Sequence, residues 1–178
     1  MKTSTDFFDA VTRCLITFQH LEHSLKMVLF RLELLTQARL SGYCHYDIWS
    51  RLKSQMDAPL GRLIEMFKIY ENDKKLITDL RKLKKYRDEV AHQSLVLNIE
   101  EMNDAEGLHV KTTELEEWNR IAKELLVRVG ARWAKLDDIL KEMKVEKSDD
   151  EDSEKIPATP SIEEYIKRIE DFYESNEK

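Results

Sequence analysis

The chain has 178 residues, enough for one sizeable domain and a small appendage. Charged residues make up 36% of it and only four glycines and three prolines interrupt it, which favours helices and argues against an all-β fold. A net charge of −6 excludes a uniformly basic nucleic-acid binder but not a local basic patch, because binding depends on where the charges lie.

In chain order, residues 4 to about 39 read as one long helix. Phe8, Val11, Leu15, Phe18, Leu21, Leu25, Val28, Leu29 and Leu32 hold a helical stripe over several turns. Ser4 or Thr5 is the expected cap, and Ser41-Gly42 a plausible stop. A shorter helical piece fits Tyr46 to Met56. Asp57-Ala58-Pro59 then looks like a new helix start, with Leu60, Leu63, Ile64, Phe67 and Tyr70 as its apolar face. Asn72-Asp73 breaks that pattern and can cap the next helix, roughly 74 to 94. Leu95 to Ile99 and Leu108 to Val110 are short and β-prone, so a small hairpin is expected there. Thr113 with Glu116 resembles a capping box and should open a last helix through Trp118, Ile121, Leu125, Val129, Trp133, Leu136 and Leu140, with both tryptophans in the core. The fold class that follows is all-α, an antiparallel bundle of about four main helices over residues 1–143. An acidic linker, 144–160, and an amphipathic docking helix, 161–178, follow it.

Cys14 and Cys44 have no metal-ligand or CxxC spacing, so a reduced, cytoplasmic protein is expected. No apolar run approaches the ~20 residues of a membrane span, and no secretory pattern opens the chain. His20 and His23 are three apart on the first helix, a possible metal pair without an evident third ligand; satisfied or surface histidines are the simpler reading. His45 and His109 carry no clear signal. Neither a metal nor another cofactor is expected.

The most informative stretch is Lys84-Lys85-Tyr86-Arg87-Asp88-Glu89-Val90-Ala91-His92. Leu76, Leu80, Leu83, Arg87 and Val90 follow helical spacing, so Arg87 continues an apolar stripe, where a charge needs a partner or a ligand. Arginine offers a planar donor fork for phosphate, and histidine exchanges protons near neutral pH. Five helical residues separate two side chains by about 140° of rotation. On one straight helix Arg87 and His92 would therefore not share a face. Arg81, Lys82, Lys84 and Lys85 form a basic run that suits an RNA backbone or, equally, a solvated helix face.

An Arg-polar-x-x-x-His motif late in a helix of an all-helical chain resembles the HEPN superfamily. The basic run before Arg87 and the acid Glu22 on the first helix are also similar to that family's pattern, over residues 5 to 142. Members often have asparagine after the arginine; here Asp88 stands there and puts a negative charge near an incoming phosphate. The resemblance implies a metal-independent endoribonuclease acting in toxin–antitoxin or defence systems, a homodimer whose two motifs share one cleft, and an antitoxin or regulatory protein as a possible partner. Other members have lost catalysis, so the alternative it implies is a silent form that binds RNA or a protein. In the catalytic form His92 would take the 2′-hydroxyl proton, Arg87 would stabilise charge on the phosphoryl oxygens, Asp88 would orient the imidazole and Glu22 would orient Arg87. The structural alternative has Arg87 paired with Glu22 or another acid and His92 capping a helix end. A third reading is a helical adaptor that works through its C-terminal helix.

Ile162, Tyr165, Ile166, Ile169, Phe172 and Tyr173 line one face of that short helix, which is marginal alone in water. Docking it would bury enough apolar surface to contribute on the order of 5–10 kcal/mol before ordering costs. Deleting residues 144–178 should therefore change oligomeric state, solubility, partner binding or RNA affinity. Unchanged light scattering and RNA titrations would reject docking.

Overall fold

A computed structural model describes residues 3–40, 53–92 and 104–145. Among these residues there are four helices and no strand: α1 (Ser4–Leu40), α2 (Leu60–Lys68), α3 (Lys74–His92) and α4 (Ala105–Val145), with a further helical turn at 53–56 before α2. The Ser41-Gly42 stop, most of the 46–56 piece, the first strand of the expected hairpin and residues 146–178 lie outside the described residues.

Most of the apolar positions read from sequence are buried, but Tyr70, expected on the face of α2, is exposed beyond the end of that helix. Phe18, Leu21, Leu25 and Leu29 of α1 meet Leu63, Ile64 and Phe67 of α2, Leu76, Leu80 and Leu83 of α3, and Leu115, Ala122, Leu125 and Val129 of α4 in one core. Phe8 departs from its expected place: it is exposed and packs edge-on against Phe7, which is buried instead.

Three cross-links set the direction of the two long helices. Cys14 Sγ donates to the Leu115 carbonyl at 2.9 Å, the Thr17 hydroxyl lies 2.7 Å from Asn119 Oδ1, and Arg31 Nε donates to Asp137 Oδ1 at 2.8 Å. Both residue numbers rise together, so α1 and α4 run parallel. The antiparallel relation expected for the bundle holds for α2 against α3, where Glu65 meets Arg81, and for α3 against α4, where Asp79 meets Arg128 and Tyr86 meets Trp118. Burial pushes the Cys14 thiol up to about 12, although its hydrogen bonding to backbone opposes this, so it is a packed core group rather than a nucleophile.

Helix starts follow local chemistry, with two corrections. The α1 start is a reciprocal pair one residue earlier than expected: the Asp6 carboxylate accepts from the Thr3 amide at 2.6 Å, and the Thr3 hydroxyl accepts from the Asp6 amide at 3.3 Å. Pro59 precedes α2 with extended backbone, and its carbonyl accepts from Arg62 and Leu63. Asp73 caps α3 as expected, accepting from the Leu76 amide at 2.9 Å. The second correction concerns residues 108–110, which are helix, not strand. Asp104 starts α4 nine residues before Thr113, accepting from the Glu106 amide at 3.2 Å. Gly107 makes room for that carboxylate, since a Cβ there would sit 2.5 Å from Asp104 Oδ2. Thr113, expected as a cap, is interior and donates back to the His109 carbonyl. Leu108 is buried against the core, which explains why β-prone residues are helical here: tertiary burial outweighs local propensity.

Acids of the α2–α3 turn and of α3 hold α4. Arg128 reaches Asp79 at 2.9 Å and Asp73 at 3.1 Å, and Arg132 reaches Glu71 at 2.7 Å. Burial alone would raise the Glu71 carboxyl, but hydrogen bonds from Arg132 and the Asp73 amide pull it below the usual value of 4.5. Asp73 is lowered from 3.8, first by the Leu76 amide and then by Arg128. Depressed carboxylates contribute stability above their unfolded pKa and lose it as pH falls through the folded values. The urea midpoint should therefore fall as pH drops below 4.5. An Arg128→Ala/Arg132→Ala variant should be less stable at neutral pH and lose less over the same acid interval. An equal acid loss in both proteins would locate the effect elsewhere.

Candidate functional site

The segment Arg81 to His92 is helical throughout, so Arg87 and His92 project about 140° apart from one α3. Leu76, Leu80, Leu83 and Val90 of the stripe are 0% exposed, whereas the Arg87 side chain in the same row is 40% exposed. α3 carries its core row up to Leu83, opens at Arg87 and closes again at Val90.

Asp88 is the hub of the segment. Its carboxylate accepts from Lys84 one turn earlier and from Arg87 Nη1 at 3.2 Å. Those two hydrogen bonds occupy the group that was expected to orient His92, and no Asp88–His92 bond is formed. The Lys84 ammonium, burial acting against it, and Arg87 together hold the Asp88 carboxyl below 3.8. Gly61 of α2 contributes indirectly, because a Cβ there would lie 2.9 Å from Lys84 Cε. The lysine stem thus passes directly over the α2 backbone on its way to Asp88.

The expected basic run divides in three. Arg81 is engaged by Glu65 at 2.5 Å and Lys84 by Asp88, while Lys82 and Lys85 are exposed and make no ion pair among the described residues. With Glu89 and His92 they fall on one helical row, and His92 ends α3 exposed. Glu22 does not approach Arg87 in the described pairs; it bonds Lys26 at 3.0 Å on its own helix. Burial, then the neighbouring His23 charge, lowers His20, while burial and Lys26 lower His23. Among the described residues no group of three or more His, Cys, Asp or Glu side chains is placed to hold a metal. No helix among them is long and apolar enough to cross a membrane.

One feature near the motif was missed in sequence. Tyr86 stacks on Trp118 of α4, with ring centroids 4.9 Å apart and planes 4° from parallel. Trp118 is partly buried, and it lines a groove of about 400 Å³ with His109, Val110, Thr113, Glu114 and Glu117. Trp133, by contrast, is a core residue as expected, 5.3 Å from the buried Arg31 guanidinium. The Tyr86 position, directly before Arg87, was the available signal; its partner could not be read without the α3–α4 pairing.

Replacing Lys84 with methionine should keep the stem over Gly61 and remove the largest influence on Asp88. The Asp88 carboxyl should then titrate closer to 3.8, as followed by carboxyl-carbon NMR. A titration identical to the parent's would show that Lys84 does not set it.

Comparison with known proteins adds no family to this geometry: no protein-family model, no curated protein and no solved structure matches the chain.

Proposed function

We propose that this chain is an RNA-directed protein of HEPN type that cleaves RNA without a metal, through a site completed by a second copy. One observation carries the reading. Arg87 stands partly open to solvent in a row of fully buried residues, and among the described residues its ion-pair partner is the adjacent Asp88 alone. A purely structural arginine in that row would be expected to bond an acid on a packed neighbour, as Arg31 and Arg128 do. The structural alternative asked for Glu22 or another acid; Glu22 bonds Lys26 instead, and the acid that Arg87 meets is Asp88, a residue of the motif itself.

The divergence of Arg87 and His92 on one helix supports a composite site. With two copies facing each other, His92 of one takes the 2′-hydroxyl proton as that oxygen bonds to phosphorus. The P–O5′ bond breaks, and protonated His92 of the second copy gives a proton to the leaving 5′-oxygen. Arg87 exchanges Asp88 for the phosphoryl oxygens, where its planar fork matches the developing charge. The products are a 2′,3′-cyclic phosphate and a 5′-hydroxyl. A homodimer is part of the proposal, and so is control by an antitoxin-like or other regulatory protein; a cytoplasmic setting fits both.

A second reading follows from Asp88. Because it already engages Arg87 and Lys84, RNA must displace an internal carboxylate before it reaches the arginine. That favours a form that binds RNA without cutting it.

Incubating the full-length chain with total RNA in EDTA separates the two. Cleavage by the parent should fall about 10²–10³-fold in Arg87→Ala and about 10²–10⁴-fold in His92→Ala, with melting temperatures little changed. Asp88→Asn, which frees Arg87, should raise RNA affinity at low salt. Binding without cleavage in the parent would select the silent form. A large fall in melting temperature for Arg87→Ala with activity intact would make the arginine structural, and a monomer in solution that still cleaves would remove the composite site.

A further inference from the structure

We infer that the groove beside Trp118 takes an unpaired base of a single-stranded RNA and prefers bases that carry an exocyclic amino group, an inference that rests on the RNA-directed reading above. The position of the groove is the first support. Tyr86 of α3 stacks on Trp118, and α3 runs antiparallel to α4. Six residues beyond Tyr86, about 9 Å of helical rise, α3 reaches His92. From Trp118 the groove extends in the same direction along α4, to His109. Base groove and proton-transfer residue thus lie at one end of the bundle, within the span of a few nucleotides.

The chemistry of the lining is the second support. Unpaired bases are held by aromatic stacking and by hydrogen bonds to their Watson–Crick edges. Trp118 is held in a fixed orientation by its stack on Tyr86 before any ligand arrives, and Val110, 54% exposed, adds an apolar wall. Glu114 is exposed and has no ion-pair partner among the described residues, whereas Glu117 is committed to Arg120 at 2.6 Å. A free carboxylate accepts a hydrogen bond from the 4-amino group of cytosine. Uracil presents a carbonyl oxygen at that position and would face the carboxylate acceptor to acceptor. The two acids also keep phosphate out of the groove, so the backbone must run outside it; Lys82 and Lys85 of α3, exposed and without ion pairs among the described residues, are the cations offered to it. A volume of about 400 Å³ falls within the range of small-ligand clefts.

Oligo-C and oligo-U differ, at the edge in question, in one amino group against one oxygen. Full-length protein carrying His92→Ala, to prevent cleavage, is titrated by fluorescence anisotropy with short labelled oligo-C, oligo-U and a fully paired duplex of equal length. Oligo-C should bind roughly tenfold more tightly than oligo-U and more tightly than the duplex. Glu114→Ala should erase the difference between C and U. Val110→Glu, a change at an exposed position, should weaken oligo-C roughly tenfold, while Lys85→Ala weakens both single strands alike. Equal binding of oligo-C and oligo-U, or single-strand affinities unmoved by Val110→Glu, would overturn the inference. If the unsubstituted chain cleaves RNA and shows no base preference, the groove assignment falls alone. A preference for C without cleavage supports the groove and removes only the nuclease reading.

Discussion

The parallel pairing of α1 and α4 is the constraint on which the other helices depend. Helices of 37 and 41 residues are about 55 and 60 Å long, and their shared seam runs from Cys14–Leu115 to Arg31–Asp137. Two parallel helices cannot be joined by a tight turn, so the chain between them must travel back along the seam. α3 makes that return. Its core row of Leu76, Leu80 and Leu83 is fully buried, and the motif is carried at its far end, where the buried row opens at Arg87.

Two kinds of polar contact lock the arrangement around residues 128–137 of α4. Glu71 and Asp73 of the α2–α3 turn, with Asp79 of α3, hold Arg128 and Arg132 of α4. These groups are partly solvated, so their contribution is modest singly and gains from being a network. Deeper in the seam Arg31 is 4% exposed, bonded to Asp137 and set against the Phe30 and Trp133 rings. A guanidinium tolerates that site because its flat faces are weakly hydrated and its edge finds a carboxylate. Arg31 and Arg87 show two fates of one residue type: the first is sealed by aromatic rings, the second is left half open beside a single short-range acid.

That contrast shapes the functional reading. Asp88 offsets part of the motif's positive charge by holding Lys84 and Arg87 together. Under the proposed function a phosphate arriving there would compete with a carboxylate already in place, so binding would be an exchange of partners whose balance depends on ionic strength. The stacked Tyr86–Trp118 pair joins α3 to α4 beside these charges, and under the proposed function it is the surface on which a base would rest.

The sequence by itself determined the helices. Stripes such as Leu60, Leu63, Ile64 and Phe67, and the breaker and cap at Asn72-Asp73, are local features with a period the eye can follow, and the structure buries those stripes and uses that cap. Residues 108–110 escaped this reading because Leu108 owes its conformation to burial against other helices, while Asp104 and Gly107 supply an earlier helix start than Thr113. The motif residues were legible as chemistry but not as partners. Arg87 meets its sequence neighbour Asp88, whereas whether Arg81 is free or held by Glu65, and which ring faces Tyr86, are settled by contacts between different helices. Those contacts follow from the direction in which α1, α3 and α4 pass one another, and helical periodicity within each segment carries no information about direction between them.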